Sequence, residues 1–341
     1  MNFSPMEKHK ELFKEIKPSL GWNGEKISEA HRMAYREKLK ELLGYGTFSF
    51  CDPDFNIIKE ELLNGRRHIH FAVQTEKGYY ASCHLLLPEN MPDGKLPLCV
   101  GLQGHVSGAH LSIGVEKFPY DEVYLASENV DFCVQAVNNG FAGLAIEQRG
   151  FGENGGDNEN GWTQCQQPAM TALLMGRTLI GERVWDVQRV IDCVQEKFSD
   201  IITMNHSVLL GMSGGGTATY YTACLDDRFE VYVPGVALCT FYNSIVEISH
   251  CVCNYIPNIA RYFDMGDMAV MIAPKKLIVA SGENDQWFPL DGARRTYSKI
   301  KDIYRSVGAE ENCYQTIGDR GHTFYPETAW PAIKEMLQKH V

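Results

Sequence analysis

The sequence has no apolar stretch of about 18 residues, the length that a membrane-spanning helix requires. Its opening residues, MNFSPMEKHKELFKEIKPS, lack the apolar core of a secretory signal. It has no long basic run. With 32 basic and 43 acidic residues the net charge is −11, which disfavours nucleic acid and anionic membrane surfaces as partners. Internal repeats and low-complexity linkers are also absent. Cysteine is not scarce, but 11 residues spread over a 341-residue chain do not make a small disulfide scaffold. Several of them (Cys99, Cys133, Cys193, Cys239) stand in apolar runs, where a thiol behaves as a small hydrophobe. Reduced, buried thiols and the missing signal core point to the cytoplasm.

What the sequence does have is a globular composition, 44% hydrophobic and 22% charged, on a chain long enough for a large core. Residues 5–44 are expected to be helical, with Ser4 as a cap, Pro5 in a first-turn position and Gly44 as a stop. They define an N-terminal helical extension, residues 1–47, ahead of a main domain, residues 48–341. In the main domain, 66–75 and 79–87 read as two strands around the turn EKG. Short apolar runs at 97–103, 141–147, 207–212 and 276–281 suit buried strands, and the more polar 312–317 suits an edge strand. Helical patterns fill 181–198, 214–225, 290–307 and 327–340. Strands alternating with helices imply an α/β fold, a mostly parallel sheet covered on both faces. The long segments 105–140, 152–180 and 240–272 are candidate cap insertions, or ordinary packing.

The chemistry is concentrated in SVLLGMSGGGTATYYTA. An apolar strand runs into Gly211-Met212-Ser213-Gly214-Gly215 and a helix pattern follows. This is G-x-S-x-G in strand–turn–helix context, a nucleophile elbow. A serine needs a base, and the base needs an acid to orient it. In this arrangement the chain order is nucleophile, acid, histidine. After Ser213, the strand pattern KLIVAS runs into GENDQWFP. Asp285 is the expected acid there, with Glu283 as the competitor. Downstream of Asp285 only His322 and His340 remain, and His322 in the loop GDRGHTFYP is the expected base. The oxyanion donors are expected to be the backbone N–H of Gly214 and that of His105, with Gly104 beside it, in the loop after PLCVGLQ.

With those residues in hand, the chain resembles the α/β-hydrolase superfamily, in its dienelactone-hydrolase-like branch, close to proteins described as acetyl xylan esterases. The resemblance spans about 66–341 and rests on GMSGG, LCVGLQGH, EQRGFGENG, the segment from HCVCNYIPNIARYF to GENDQWFP, and GDRGHTF. The family commonly carries His-Gly where this chain has Gln103-Gly104. The resemblance implies a serine esterase that acts through an acyl-enzyme on a small-molecule ester. Acetyl esters of small acylated sugars are one such class, and no metal or organic cofactor is required. Gln103, Arg149 and Trp287 are the candidate substrate contacts, Arg149 also fitting a structural ion pair. A lactone or dienelactone hydrolase, a peptidase and a non-catalytic binding protein are the alternatives. A homo-oligomer is compatible with all of them.

Three other patterns are weaker. Gly150-Phe-Gly152-Glu-Asn-Gly155 fits a dinucleotide fingerprint, but the polar, broken GDNENGWTQCQQP follows it in place of a helix. His250-Cys251-Val252-Cys253 suggests zinc, yet no second ligand pair is evident, so buried cysteines beside a core histidine are expected. His68 and His70 alternate on one strand face beside arginines and are expected to be exposed.

Overall fold

The computed structural model of the protein describes residues 3–156 and 161–339, so His340 lies outside the described residues. Two helices open it, α1 (Pro5–Glu15) and α2 (Glu29–Leu43). Ser4 accepts a hydrogen bond from the Glu7 N–H, and Gly44 closes α2 in the left-handed region at φ 89°. Tyr35, Leu39 and Leu43 of α2 are buried in the same hydrophobic cluster as the central sheet. Arg36 anchors the helix further, through Asp227 and the carbonyls of Cys224 and Met271.

The sheet begins with an antiparallel meander of β1 (Asn56–Leu63), β2 (Arg66–Glu76) and β3 (Tyr79–Pro88). Then come β4 (Leu96–Leu102), α3 (Asp121–Glu128), α4 (Phe132–Asn138), β5 (Ala142–Ile146), α5 (Gln166–Leu174), α6 (Leu179–Lys197) and β6 (Ile202–Met212). The chain ends with α7 (Gly214–Leu225), β7 (Val231–Gly235), β8 (Lys276–Gly282), α8 (Leu290–Ser306), β9 (Cys313–Gly318) and α9 (Pro326–Gln338). The nine strands form one sheet in the order β1-β2-β3-β5-β4-β6-β7-β8-β9, parallel from β5 to β9. The α/β architecture is therefore as expected, and β9 does lie at an edge. No helix among the described residues is long and apolar enough to cross a membrane.

Strand order reverses at β4, with β5 on one side and β6 on the other. In open α/β sheets a crevice forms beyond the strand ends at such a switch point. The ends of β4, β6, β8 and β9 therefore supply the site. Two strands escape the pattern of the sequence. β1 is mostly exposed, so no buried face marks it. β7 is five residues long and contains Pro234.

His68 and His70 are not exposed. The loop after β5 folds back over their face of the sheet, and Glu153 and Asn154 both bond Ser82. His68 is 4% exposed and lies 3.1 Å from His84 Nδ1. His70 Nε2 lies 2.8 Å from Ser82 Oγ. Burial lowers His84 to about 3, so it is neutral. On the same side, Glu147 follows β5, 1% exposed, and accepts from the N–H groups of Ala109 and Glu153.

Burial pushes the Glu147 carboxyl from an ordinary 4.5 up to about 7. The folded form therefore keeps a proton that the unfolded chain loses, and stability falls as pH rises through that window. Glu147→Gln should gain stability over the wild type on going from pH 5 to pH 8, by about 2 kcal/mol. Denaturant titrations of both proteins at the two pH values measure this, and a constant difference would contradict it.

Candidate active site

Ser213 occupies the turn between β6 and α7 at φ 54°, ψ −118°, a region that side chains other than glycine rarely adopt. Its N–H donates to the Gly235 carbonyl at 2.9 Å, and that bond ties the turn to the end of β7. The flanking glycines are steric requirements. A Cβ on Gly211 would sit 2.4 Å from the Gly215 carbonyl oxygen, and one on Gly215 would sit 2.0 Å from that of Leu102. With no side chains there, α7 packs directly on the ends of β4 and β6, and its first amides lie beside Ser213.

Asp285 lies in the loop after β8 and His322 in the loop after β9. His322 Nδ1 is 3.0 Å from Asp285 Oδ2 and 3.1 Å from Oδ1. The Asp285 side chain is inaccessible to solvent. Its Oδ1 also accepts the backbone N–H groups of Trp287 at 2.8 Å and Phe288 at 3.0 Å. Those donors fix the carboxylate, and the carboxylate fixes the imidazole. The Phe288 ring lies parallel to the imidazole with centroids 6.0 Å apart. Glu283, the competing acid, is exposed.

A cavity of about 340 Å³ brings Ser213, His322, Gly104, His105 and Trp287 together. No hydrogen bond joins Ser213 Oγ to His322 among the described residues; such contacts often tighten only in the substrate complex. A Cβ on Gly104 would touch that of Ser213 at 3.0 Å, which puts the end of β4 against the serine. The His105 ring packs over Gly214 and edge-on against Phe151. A larger cleft, about 650 Å³, runs between α1 and residues 245–261. It is mainly apolar, and Ser213, Asp285 and His322 do not line it.

Two expected substrate contacts are elsewhere. Gln103 is 1% exposed, and its amide is bound to Ser112 Oγ and the Val130 carbonyl, so it holds the loop after β4. Arg149 is buried in an ion cluster with Glu76, Glu182 and Asp186, and stacks on Tyr79. Its role is structural, because every direction of its guanidinium already has a partner.

Other residues at the cavity carried no recognisable signal. Tyr124 and Glu128 reach it from α3, and His250 from the segment before β8. Burial raises the Glu128 carboxyl above its ordinary range. His250 Nε2 sits 2.9 Å from Ser244 Oγ and 3.1 Å from the Trp287 carbonyl, so it braces the Trp287 wall. A second Ser-His-Asp group is buried in the loop after β4. His110 Nε2 is 2.8 Å from Asp121 Oδ2, and Ser107 Oγ bonds Asp121. None of these three lines the cavity, and together they fold the loop.

The switch-point sheet, the strained serine turn and the acid–histidine pair define an α/β-hydrolase fold. Within that class the relatives are distant. No protein-family model matches the chain. It is 28% identical over 241 residues to the "Putative hydrolase YtaP" of Bacillus subtilis (strain 168), which covers 69% of this chain and 76% of that one. A solved structure described as a "putative acetyl xylan esterase" from Bacteroides fragilis superposes with a TM-score of 0.83 at 15% identity, over 99% of this chain and 96% of the other. A glucuronoyl esterase from Solibacter usitatus gives 0.66 at 15% identity, over 91% and 93%. At such identities these two likenesses concern the fold.

Gly215→Ala should destabilise the protein by at least ~2 kcal/mol, because backbone on β4 cannot retreat from the new methyl. A thermal melt measures this, and an unchanged midpoint would show that the contact with Leu102 is loose.

Proposed function

We propose that the protein is a serine carboxylic-ester hydrolase with Ser213 as nucleophile, His322 as base and Asp285 as the acid that orients it. The observation that carries the reading is one shared cavity holding a serine on a strained strand-to-helix turn and a histidine already gripped by a buried carboxylate. Ser213 Oγ attacks the ester carbonyl carbon while His322 Nε2 takes its proton. The negative oxygen of the tetrahedral adduct lies between the amides of Gly214 and His105, with Gly104 leaving room for it. His322 returns the proton to the leaving alcohol, and Ser213 keeps the acyl group. Water then gives a proton to His322 and attacks the acyl carbon; as the acid leaves, the bond to Ser213 Oγ breaks and His322 returns that proton to Oγ.

The substrate class proposed is acetyl esters of small acylated sugars. The names of the structural relatives, acetyl xylan esterase and glucuronoyl esterase, support a carbohydrate ester. The cavity is small, with Tyr124 and Trp287 as flat walls of the kind sugars stack on, and Glu128 as a polar contact. Cytoplasmic placement is proposed from the eleven cysteines, which form no disulfide.

Ser213→Ala should lower kcat on an aryl acetate by about 10⁴-fold or more with the melting temperature retained, and Asp285→Asn by about 10³–10⁴-fold. Steady-state rates on acetyl, butyryl, lactone and aminoacyl amide substrates locate the reaction class. Preference for the acetyl ester supports the reading. Undiminished ester hydrolysis by Ser213→Ala would reject it, and a dominant lactone or amide rate would replace it with the corresponding hydrolase.

A further inference from the structure

Behind the oxyanion loop lies a group of side chains that the ester chemistry does not use. His105, Cys165, Cys251 and Cys253 each present one ligand atom, and the four atoms all lie within 4.8 Å of one another. His105 Nε2 is 3.2 Å from Cys253 Sγ. Cys165 and Cys253 are buried, whereas His105 and Cys251 are partly open to the cavity. The residues arrive from three separate places: the loop after β4, the loop before α5, and the segment between β7 and β8.

We propose that these four residues bind one zinc ion in a closed, tetrahedral site of three thiolates and one imidazole. The donor set is that of structural zinc. With Zn–S near 2.3 Å and Zn–N near 2.0 Å, tetrahedral ligand atoms lie about 3.6–3.8 Å apart. The four ligand atoms, all within 4.8 Å of one another, have to draw in by about an ångström to reach that spacing.

A neighbouring charge supports the assignment independently. The Arg183 guanidinium is 1% exposed. It donates to Cys165 Sγ at 3.2 Å and to the Arg149 carbonyl, and lies over the Phe151 ring at 4.2 Å. Among the described residues it has no carboxylate within ion-pair distance, and its Nη1 makes no hydrogen bond. A buried, uncompensated cation is costly. Cysteines packed as neutral hydrophobes, the reading that their spacing suggested, leave that cation without a counter-charge. Three thiolates and a neutral imidazole on Zn²⁺ carry a net charge of −1, which Arg183 neutralises. On binding, three S–H bonds are replaced by S–Zn bonds and three protons pass to solvent.

All four coordination positions are filled by protein, so the ion is a clasp and not a catalyst. It ties the loop that carries the His105 amide to Cys251 on the cavity wall and, through Cys165, to the loop before α5. These are positioning residues for the oxyanion side of the pocket.

The test is elemental analysis of wild-type protein, expressed with zinc in the medium and purified under reducing conditions without chelator. About one zinc per chain is expected, falling to a trace in Cys165→Ala and Cys253→Ala. Cobalt(II) exchanged for zinc in the wild type should show the visible bands of a tetrahedral thiolate site. Stripping the metal with a strong chelator should lower the melting temperature, and zinc should restore it. Wild-type protein that holds no metal, takes up neither ion and melts unchanged with chelator overturns the proposal, whether or not the variants fold. So does an intact mass two daltons low in unreduced protein, which marks a disulfide in the cluster, and so does full zinc content in both variants. None of these readouts uses ester hydrolysis, so failure here and failure of the esterase reading are separable.

Discussion

The close backbone contact between the end of β4 and the start of α7 is the constraint on which the rest of the site depends. Gly215 lets the helix approach the Leu102 and Gln103 carbonyls to within the reach of a single methyl, and Gly211 lets the turn close on itself. Only then does Ser213 stand at the strand end in its strained conformation, beside Gly104 and below His322. The strain is held by packing on both sides: Ser213 N–H to Gly235 on β7, and α7 in the hydrophobic core through Ala218, Tyr220, Tyr221 and Cys224.

Around that contact the loops are shaped by buried polar groups more than by apolar ones. Gln103 fixes the start of the loop after β4, and the Ser107, His110 and Asp121 group folds its middle. Arg149 gathers Glu76, Glu182 and Asp186 from β2 and α6. These are buried, hydrogen-bonded groups in a low-dielectric setting, where losing one partner costs far more than in water. The segment between β7 and β8 is divided in its role. Phe241, Ile256 and Phe263 enter the core, while Ser249, His250 and Asn254 face the cavity, so it is both core and pocket wall.

Much of this was legible in the sequence because local patterns and local geometry coincide there. The buried parallel strands read as short apolar runs, α6 and α8 as amphipathic repeats, and the Ser213 turn as its glycines. Asp285 and His322 were legible through chain order, which the fold imposes. What stayed hidden depends on distant segments meeting. β1 shows no buried face, and β7 is too short for a period. The covering of His68 by the loop after β5 is a tertiary event, as is the convergence of His105, Cys165, Cys251 and Cys253. Gln103 and Arg149 were drawn to the substrate by their neighbours in sequence, but their side chains turn away into the protein. A residue number next to a site fixes where the backbone is, and packing decides where the side chain goes.

The central claim is that Ser213 is an activated nucleophile. Intact mass after exposure to a fluorophosphonate, for the wild type and for Ser213→Ala, tests it most directly. One covalent adduct on the wild type and none on the variant is the expected result. A folded wild type that stays unmodified, or a variant that is modified equally, would contradict it and leave the cavity as a binding site.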